Sequence, residues 1–227
     1  MWLTPRGVAT LKCFLLEKYN SGGKTEPDVL WRLAKACYNL SIQMDRKNSK
    51  KKDVVLEGRD YAQKAATIDS SKFAVIQWAA IMTGSATDFL PPKDKIEQGG
   101  RFKDYLDTAI IINPKEFTLL HMRGRYAFAV AELTWLEKKI AIVLYKTAPE
   151  ATFDEALQDF LAANRVKPKW IENLLYVGRC YMKKKDYKNA AKFLREAIEV
   201  KPKDDGESDM IQDAKDLLKK AESKDSS

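Results

Sequence analysis

The fold is decided by residues 173–202, NLLYVGRCYMKKKDYKNAAKFLREAIEVKP. Apolar residues recur in this stretch at spacings of three and four, which is the period of an amphipathic helix. Gly178, Ala190 and Ala197 are small enough to let two helices approach closely, and Pro202 ends the pattern. The stretch therefore predicts two antiparallel helices in tight contact.

This order of large and small residues is typical of the tetratricopeptide repeat, a helical pair that stacks on further pairs. The second-helix pattern occurs three more times upstream, in RDYAQKAATIDS (59–70), RFKDYLDTAIIINP (101–114) and FDEALQDFLAANRVKP (153–168). The matching alanines, Ala65, Ala109, Ala163 and Ala197, are separated by 44, 54 and 34 residues. Because only the last interval equals the standard period, the sequence predicts an all-α array of about four helix pairs with insertions.

The first helices of the three earlier repeats are predicted to begin near Asp28, Phe73 and Phe117. The small residue at their helix contact is Ala34, Gly84 and Gly124, in the same order. The largest insertion follows Gly124, and its apolar residues have the spacing of one more amphipathic helix: Trp135, Ile140, Val143 and Leu144. We expect this helix to cap one face of the array.

The chain is predicted to divide into three parts. Residues 1–25 form an N-terminal helix, residues 26–203 the tetratricopeptide-like repeat domain, and residues 204–227 a capping helix and tail. Ser208 or Asp209 is predicted to cap the start of the last helix, since both side chains accept backbone N–H hydrogen bonds. The segment is polar, as the end of a repeat array must be.

The basic charge of the chain belongs to the repeats. Forty Lys and Arg against 32 Asp and Glu give a net charge of +8, which favours an acidic partner. Residues 203–227 hold five Lys and eight acidic residues, a net of −3. This leaves 35 basic and 24 acidic residues, a net of +11, in residues 1–202.

Motifs for catalysis, metal binding and membrane insertion are missing from the sequence. Cys13, Cys37 and Cys180 are far apart and form no Cys-x-x-Cys pair, and His121 is the single histidine. Gly23–Thr25 imitates the end of a phosphate-binding loop but lacks its first glycine, so Ser21–Thr25 is predicted to form a turn. No stretch reaches the ~18 uninterrupted apolar residues of a membrane span. The sequence therefore predicts a non-enzymatic protein without a cofactor, a metal site or a transmembrane segment.

Three segments carry a resemblance to a known family. They are DVLWRLAKACYNL (28–40), LDTAIIINPKEFTLLHMRGRYAFAVAELTWLEKKIAIVLY (106–145) and the continuation FDEALQDF…NLLYVGRCYM. Over roughly residues 26 to 202 the chain resembles the regulator of microtubule dynamics family, with LTWLEKKIA as the most specific part. The resemblance implies a cytoplasmic, microtubule-associated protein of spindle microtubules and spindle poles, acting in chromosome segregation.

The repeat pattern also predicts a groove. Residues at the second, fifth, ninth and twelfth positions of a repeat line the concave side of an array. These residues mix aromatic and apolar side chains with cations, which suits an extended acidic peptide such as a tubulin tail. The predicted groove residues are Trp31, Lys35, Tyr38, Trp78, Ile81, His121, Arg125, Phe128, Leu175, Arg179 and Met182.

Two exposed basic clusters are predicted to add non-specific attraction to the acidic microtubule lattice, an attraction that weakens with salt. The first is expected in a loop between the helices of the first repeat, and the second at the turn of the fourth. They comprise Arg46, Lys47, Lys50, Lys51 and Lys52, and Lys183, Lys184, Lys185 and Lys188.

Two other functions stay open at this stage. Some relatives carry membrane anchors and act at organelle contacts, so a lipid-binding or lipid-transfer module is one alternative, with the inserted helix as a lid over an apolar groove. A scaffold that docks the C-terminus of another protein is the other, and two cations close enough to hold one carboxylate would support it. Nucleic acid is disfavoured as a partner, because no recognition motif accompanies the pI near 9.2.

Overall fold

The computed structural model describes residues 4–45, 48–145 and 150–225, and every regular element in these ranges is helical. The all-α prediction is therefore confirmed. The helices are α1 (Pro5–Asn20), α2 (Pro27–Ile42), α3 (Lys50–Ile68), α4 (Phe73–Ala86), α5 (Pro92–Ile112), α6 (Phe117–Ala131), α7 (Trp135–Tyr145), α8 (Phe153–Val166), α9 (Ile171–Lys183), α10 (Tyr187–Ile198) and α11 (Asp205–Asp225). Single 3-10 turns lie at Gly23–Thr25 and Thr87–Phe89, the first where the sequence predicted a turn.

The chain forms two compact units, Met1–Asn113 and Pro114–Ser227. In the first unit, helices α1 to α5 pack in sequence, each against the next. Its core contains Leu30, Leu33, Ile76 and Leu106, all fully buried. Consecutive helices that pack as antiparallel neighbours are the expected product of a tetratricopeptide pattern.

In the second unit, α6 packs directly against α8, and α8 to α11 then pack in chain order. Helix α7 is the additional helix that the insertion after Gly124 predicted. Phe160, Leu119, Leu174 and Leu194 fill the core of this unit. The extra helix explains why the interval from Ala109 to Ala163 exceeds the standard repeat.

Small residues stand where helices touch, as predicted. A Cβ atom built on Gly178 would lie 2.6 Å from a Leu194 methyl carbon, and one on Gly124 would lie 2.8 Å from the Phe160 ring. Gly84 has the same relation to Phe102, at 2.8 Å. The four repeat-defining alanines are completely buried: Ala65, Ala109, Ala163 and Ala197. These positions set the spacing between helices because any larger residue would push them apart.

Two local predictions were wrong. The last helix begins at Asp205 rather than after Ser208 or Asp209, since the Asp204 carboxylate accepts the Glu207 N–H at 2.8 Å and starts the helix earlier. The first basic cluster is not wholly in a loop, because Lys50–Lys52 form the first turn of α3. There the Asn48 side chain accepts the Lys50 N–H at 3.0 Å. Arg46 and Lys47 lie outside the described residues.

The predicted boundaries after residues 25 and 203 stay a prediction. They separate terminal segments from the repeats, whereas the packing of the helices divides the chain between Asn113 and Pro114. In the structure α1 packs against α2 inside the first unit, and α11 packs against α9 and α10 inside the second.

Candidate partner-binding surfaces

The second unit presents an aromatic ring flanked by two arginines. Tyr176 lies on α9, and the guanidinium carbon of Arg179 is 5.1 Å from the centre of its ring. Arg125 of α6 reaches the same ring at 5.4 Å. Glu172, Tyr176 and Arg179 are spaced four and three residues apart, so they share one face of α9. We call the set Arg125, Glu172, Tyr176 and Arg179 the arginine–tyrosine face.

Each arginine also has an acidic neighbour. Arg125 donates to Glu172 at 3.0 Å, and Arg179 donates to Asp213 of α11 at 3.2 Å. The side chains of the two arginines are still 45% and 32% exposed. Because both guanidinium groups reach the surface, an incoming carboxylate can approach them.

The Glu172 carboxylate is held in its charged form. Burial by itself raises its pKa, but the neighbouring His121 ring and the charges of Arg125 and Arg179 outweigh burial. The pKa of Glu172 consequently lies below its ordinary value. The face therefore keeps an ionised acid beneath its two cations at neutral pH.

His121 lies behind this face rather than on it. The ring is 2% exposed, and its Nδ1 lies 2.9 Å from Asn173 Oδ1. Since Asn173 donates its amide N–H to the Phe160 carbonyl, its oxygen faces the ring, and His121 Nδ1–H is the donor. Nε2 lies 3.6 Å from Glu172 Oε1 and has no hydrogen-bond partner among the described residues. His121 thus lies buried behind Glu172.

The apolar residues that were predicted to line the groove in this unit are buried or half-buried in the core of the unit. Phe128 is 6% exposed and packs edge-to-face on Phe153 and Tyr176, and Leu175 is buried in the core between α9 and α10. Met182 is half-buried against that same core. Of the six residues predicted here, the structure leaves Arg125 and Arg179 best placed to meet a partner. Their neighbour Tyr176 was missed, although its spacing from Glu172 and Arg179 along α9 could have revealed it.

The first unit presents a half-buried aromatic pair with a lysine. Tyr38 of α2 and Trp78 of α4 meet edge-to-face, with ring centres 5.6 Å apart. The Lys35 ammonium lies 5.7 Å from the Trp78 ring. Ile81 is buried beneath the surface of α4. Lys35, Tyr38 and Trp78, three of the predicted groove residues, are therefore brought together.

Trp31, the fifth predicted groove residue of this unit, is held by its own helix. Its indole N–H donates to Asp28 at 2.9 Å, and the Arg32 guanidinium lies 4.4 Å from its ring. The half-buried ring is fixed by these local contacts and lies beside two charged residues.

The two basic clusters differ in how many of their lysines form ion pairs with acidic side chains. Lys50 and Lys52 are exposed, while Lys51 donates to the Met44 carbonyl at 3.1 Å. In the second cluster, Lys183 pairs with Glu132 at 2.6 Å and Lys184 pairs with Asp154. Lys185 and Lys188 are exposed. Ion pairing thus neutralises part of the second cluster.

Helix α7 does not cover an apolar surface with its own apolar residues. Trp135 is 70% exposed and Val143 is 82% exposed, whereas Ile140 is half-buried and Ala141 is buried. The Leu144 side chain lies outside the described part of the chain. Where the structure is described, no helix is long and apolar enough to cross a membrane, and no cluster of His, Cys, Asp and Glu has the geometry to hold a metal.

Solved structures with the same fold are tetratricopeptide proteins. A thermophilic TPR protein of Thermus thermophilus superposes with a TM-score of 0.58 at 13% identity, over 89% of this chain and 88% of that one. MamA from Desulfovibrio magneticus gives a TM-score of 0.54 at 14% identity, over 86% and 85% of the two chains. At such low identity these likenesses show the fold alone.

Sequence relatives are more specific. Regulator of microtubule dynamics protein 1 of Caenorhabditis elegans is 40% identical over 205 residues, which cover 90% of each chain. Its bovine namesake is 33% identical over 90% of this chain, and human regulator of microtubule dynamics protein 2 is 31% identical over 81%. The chain spans 64% and 45% of the length of these two mammalian relatives. The model of the family described as regulator of microtubule dynamics protein 1-3 matches residues 9–222, nearly the whole chain. The chain therefore belongs to the regulator of microtubule dynamics family.

Proposed function

We propose that this protein is a non-enzymatic, microtubule-associated protein whose tetratricopeptide units bind acidic tubulin surface. The names of its relatives point to microtubules, and its positive charge favours an acidic partner. A role at spindle microtubules and spindle poles, in chromosome segregation, belongs to the same proposal. Other spindle or scaffold proteins are further candidate partners.

The observation that carries the proposal is the placement of Arg125 and Arg179 on one tyrosine ring. Both guanidinium carbons lie within 5.4 Å of the centre of the Tyr176 ring, so the face offers two cations beside one aromatic ring to the carboxylates of an acidic peptide. Glu172 and Asp213 hold the two side chains in place before a partner arrives. An extended acidic peptide such as a tubulin tail fits this arrangement.

The first unit and the lysine clusters contribute to the proposed binding in a different way. Lys35 beside Trp78 offers a second cation with an aromatic neighbour. The exposed Lys50, Lys52, Lys185 and Lys188 attract acidic surface from a distance. That attraction falls with salt, because the Debye length shrinks from ~10 Å at 0.1 M to ~3 Å at 1 M.

A second candidate function rests on the same pair of arginines. Two cations beside one ring can attract the terminal carboxylate of a protein chain as well as an acidic side chain. Under this alternative the protein is a scaffold that docks acidic C-termini. Titration with one acidic peptide carrying a free or an amidated C-terminus separates the two, since only the scaffold function needs the terminal carboxylate.

Cosedimentation with microtubules tests the first proposal. The variant Arg125→Gln/Arg179→Gln is expected to bind about tenfold more weakly, since it loses charge-assisted hydrogen bonds from both side chains. Its matched control is Arg165→Gln/Arg195→Gln, which removes the same charge from exposed positions of the same unit. Equal binding by the two double variants would refute a role for the arginine–tyrosine face.

Microtubules whose acidic tails have been cleaved distinguish tail binding from lattice binding. Wild type is expected to lose affinity for cleaved microtubules by about the same factor as the arginine variant loses for intact ones. Higher salt should weaken the binding to cleaved microtubules that remains. A wild-type protein that fails to sediment with intact microtubules at low salt would contradict the proposal as a whole.

A further inference from the structure

Helix α7 exposes a continuous apolar face. Trp135, Leu136, Ile142 and Val143 are 70%, 61%, 45% and 82% exposed. Leu136, Ile142 and Val143 follow Trp135 by one, seven and eight residues, which places all four side chains on one side of the helix. Lys139 lies four residues after Trp135, in the middle of the same face, with its ammonium 3.8 Å from the Trp135 ring. We call Trp135, Leu136, Lys139, Ile142 and Val143 the α7 face.

The side chains of this face lie outside the packed core. Helix α7 is started by a reciprocal cap in which Glu137 accepts the Thr134 N–H at 2.7 Å and Thr134 accepts the Glu137 N–H at 3.4 Å. Its buried residues lie on the other side of the helix, where Ala141 is buried and Ile140 is half-buried. The α7 face is therefore presented outward, on a helix that is already ordered. Exposed apolar patches of this kind mark interaction sites.

The charge of Lys139 helps to decide which kind of partner the α7 face fits. A second copy of the chain in a two-fold contact would bring the same face against itself, with Lys139 close to its own equivalent. A membrane surface usually attracts clusters of four to eight basic residues, whereas α7 carries Lys138 and Lys139 together with Glu137. A protein surface that combines an apolar pocket with a carboxylate satisfies both the apolar side chains and the ammonium. Tryptophan is also one of the side chains most enriched among the energetic centres of protein interfaces.

We propose that the α7 face is the apolar anchor for an acidic protein partner, Trp135 entering a pocket and Lys139 pairing with a carboxylate at its edge. This inference rests on the proposed function, which supplies the partner, tubulin. It divides binding into two parts. The arginine–tyrosine face provides salt-sensitive attraction, and the α7 face provides affinity that persists when salt screens the charges.

Cosedimentation with intact microtubules across a range of salt concentrations tests the division. Trp135→Ser/Val143→Ser is expected to weaken binding about tenfold or more at every salt concentration, because burial of large apolar side chains is lost. Its salt dependence should match that of wild type. The control Ile111→Ser changes a residue of α5 that is as exposed as Val143, at 82%, and should bind as wild type does.

Each outcome has a distinct meaning. If wild type binds and the α7 variant binds equally well, the anchor is refuted while the proposed function stands. If wild type does not bind microtubules, both the anchor and the proposed function are refuted.

A parallel sedimentation with vesicles of phosphatidylcholine containing about one third phosphatidylserine tests the membrane alternative. Binding to vesicles that depends on Trp135 and Val143, without their effect on microtubules, would overturn the protein occupant. Helical circular dichroism confirms that the variants are folded.

Discussion

At the scale of single residues, glycine and alanine set the distances in this molecule. Gly124 and Gly178 each allow a large side chain of the neighbouring helix, Phe160 or Leu194, to lie against the backbone. Their role could be predicted from the sequence because the repeat pattern reserves these positions for small residues. The inward placement of His121 could not, since it depends on Asn173, 52 residues further along the chain.

Gly178→Ala should destabilise the protein by about 1–3 kcal/mol, because its new Cβ would lie 2.6 Å from Leu194 in a filled core. Urea unfolding measures the change. Gly99→Ala is the matched control: it also replaces a helical glycine, but nothing lies within 4 Å of the new Cβ. There the better helix propensity of alanine should stabilise the protein by about 1 kcal/mol. Similar effects at both sites would show that helix contact at Gly178 is not tight.

At the scale of helices, the arginine–tyrosine face is the point where side chains of α6, α9 and α11 meet. Arg125 crosses from α6 to Glu172 of α9, and Arg179 crosses from α9 to Asp213 of α11. The spacing of the repeats predicted which helices line up but not which of their polar residues pair. Ion pairs between helices depend on rotamers and on burial, and the sequence pattern records neither.

The stability of this helix contact should depend on pH through Glu172. Its pKa is lower in the folded protein than the ordinary value of 4.5, so the stabilisation is complete above about pH 4.5 and is lost as pH falls further. Urea unfolding of wild type and Glu172→Gln from neutral to acid pH tests this. The difference between the two proteins should be largest near neutrality and shrink below pH 4.5. A constant difference would mean that the charge of Glu172 does not hold the helices together.

At the scale of the whole molecule, each of the two units has its own net positive charge and its own apolar core. The first unit has 18 basic and 13 acidic residues, a net of +5, and the second has 22 and 19, a net of +3. Both units are thus suited to an acidic partner. The sequence placed the basic charge in the repeat body, but the division at Asn113 could not be predicted, because the repeat pattern runs through it without a break in composition.

Residues 114–227 should fold without the first unit. Their core clusters, around Phe160 and around Leu194, are built entirely from residues of the second unit. The isolated segment is expected to show helical circular dichroism and one cooperative unfolding transition in urea, as an independent domain does. A segment with little helicity, or with gradual unfolding, would show that the two units stabilise each other.

The placement of the three cysteines has a practical consequence. Burial raises the pKa of Cys37 to about 11 and that of Cys180 to about 12, while Cys13 is exposed on α1. Thiol reagents attack the thiolate, so the folded chain offers them one accessible sulfur. A single fluorophore can therefore be attached at Cys13 without any engineered substitution. Individual labelled molecules could then be observed by light microscopy beside microtubules, which tests the proposed binding directly.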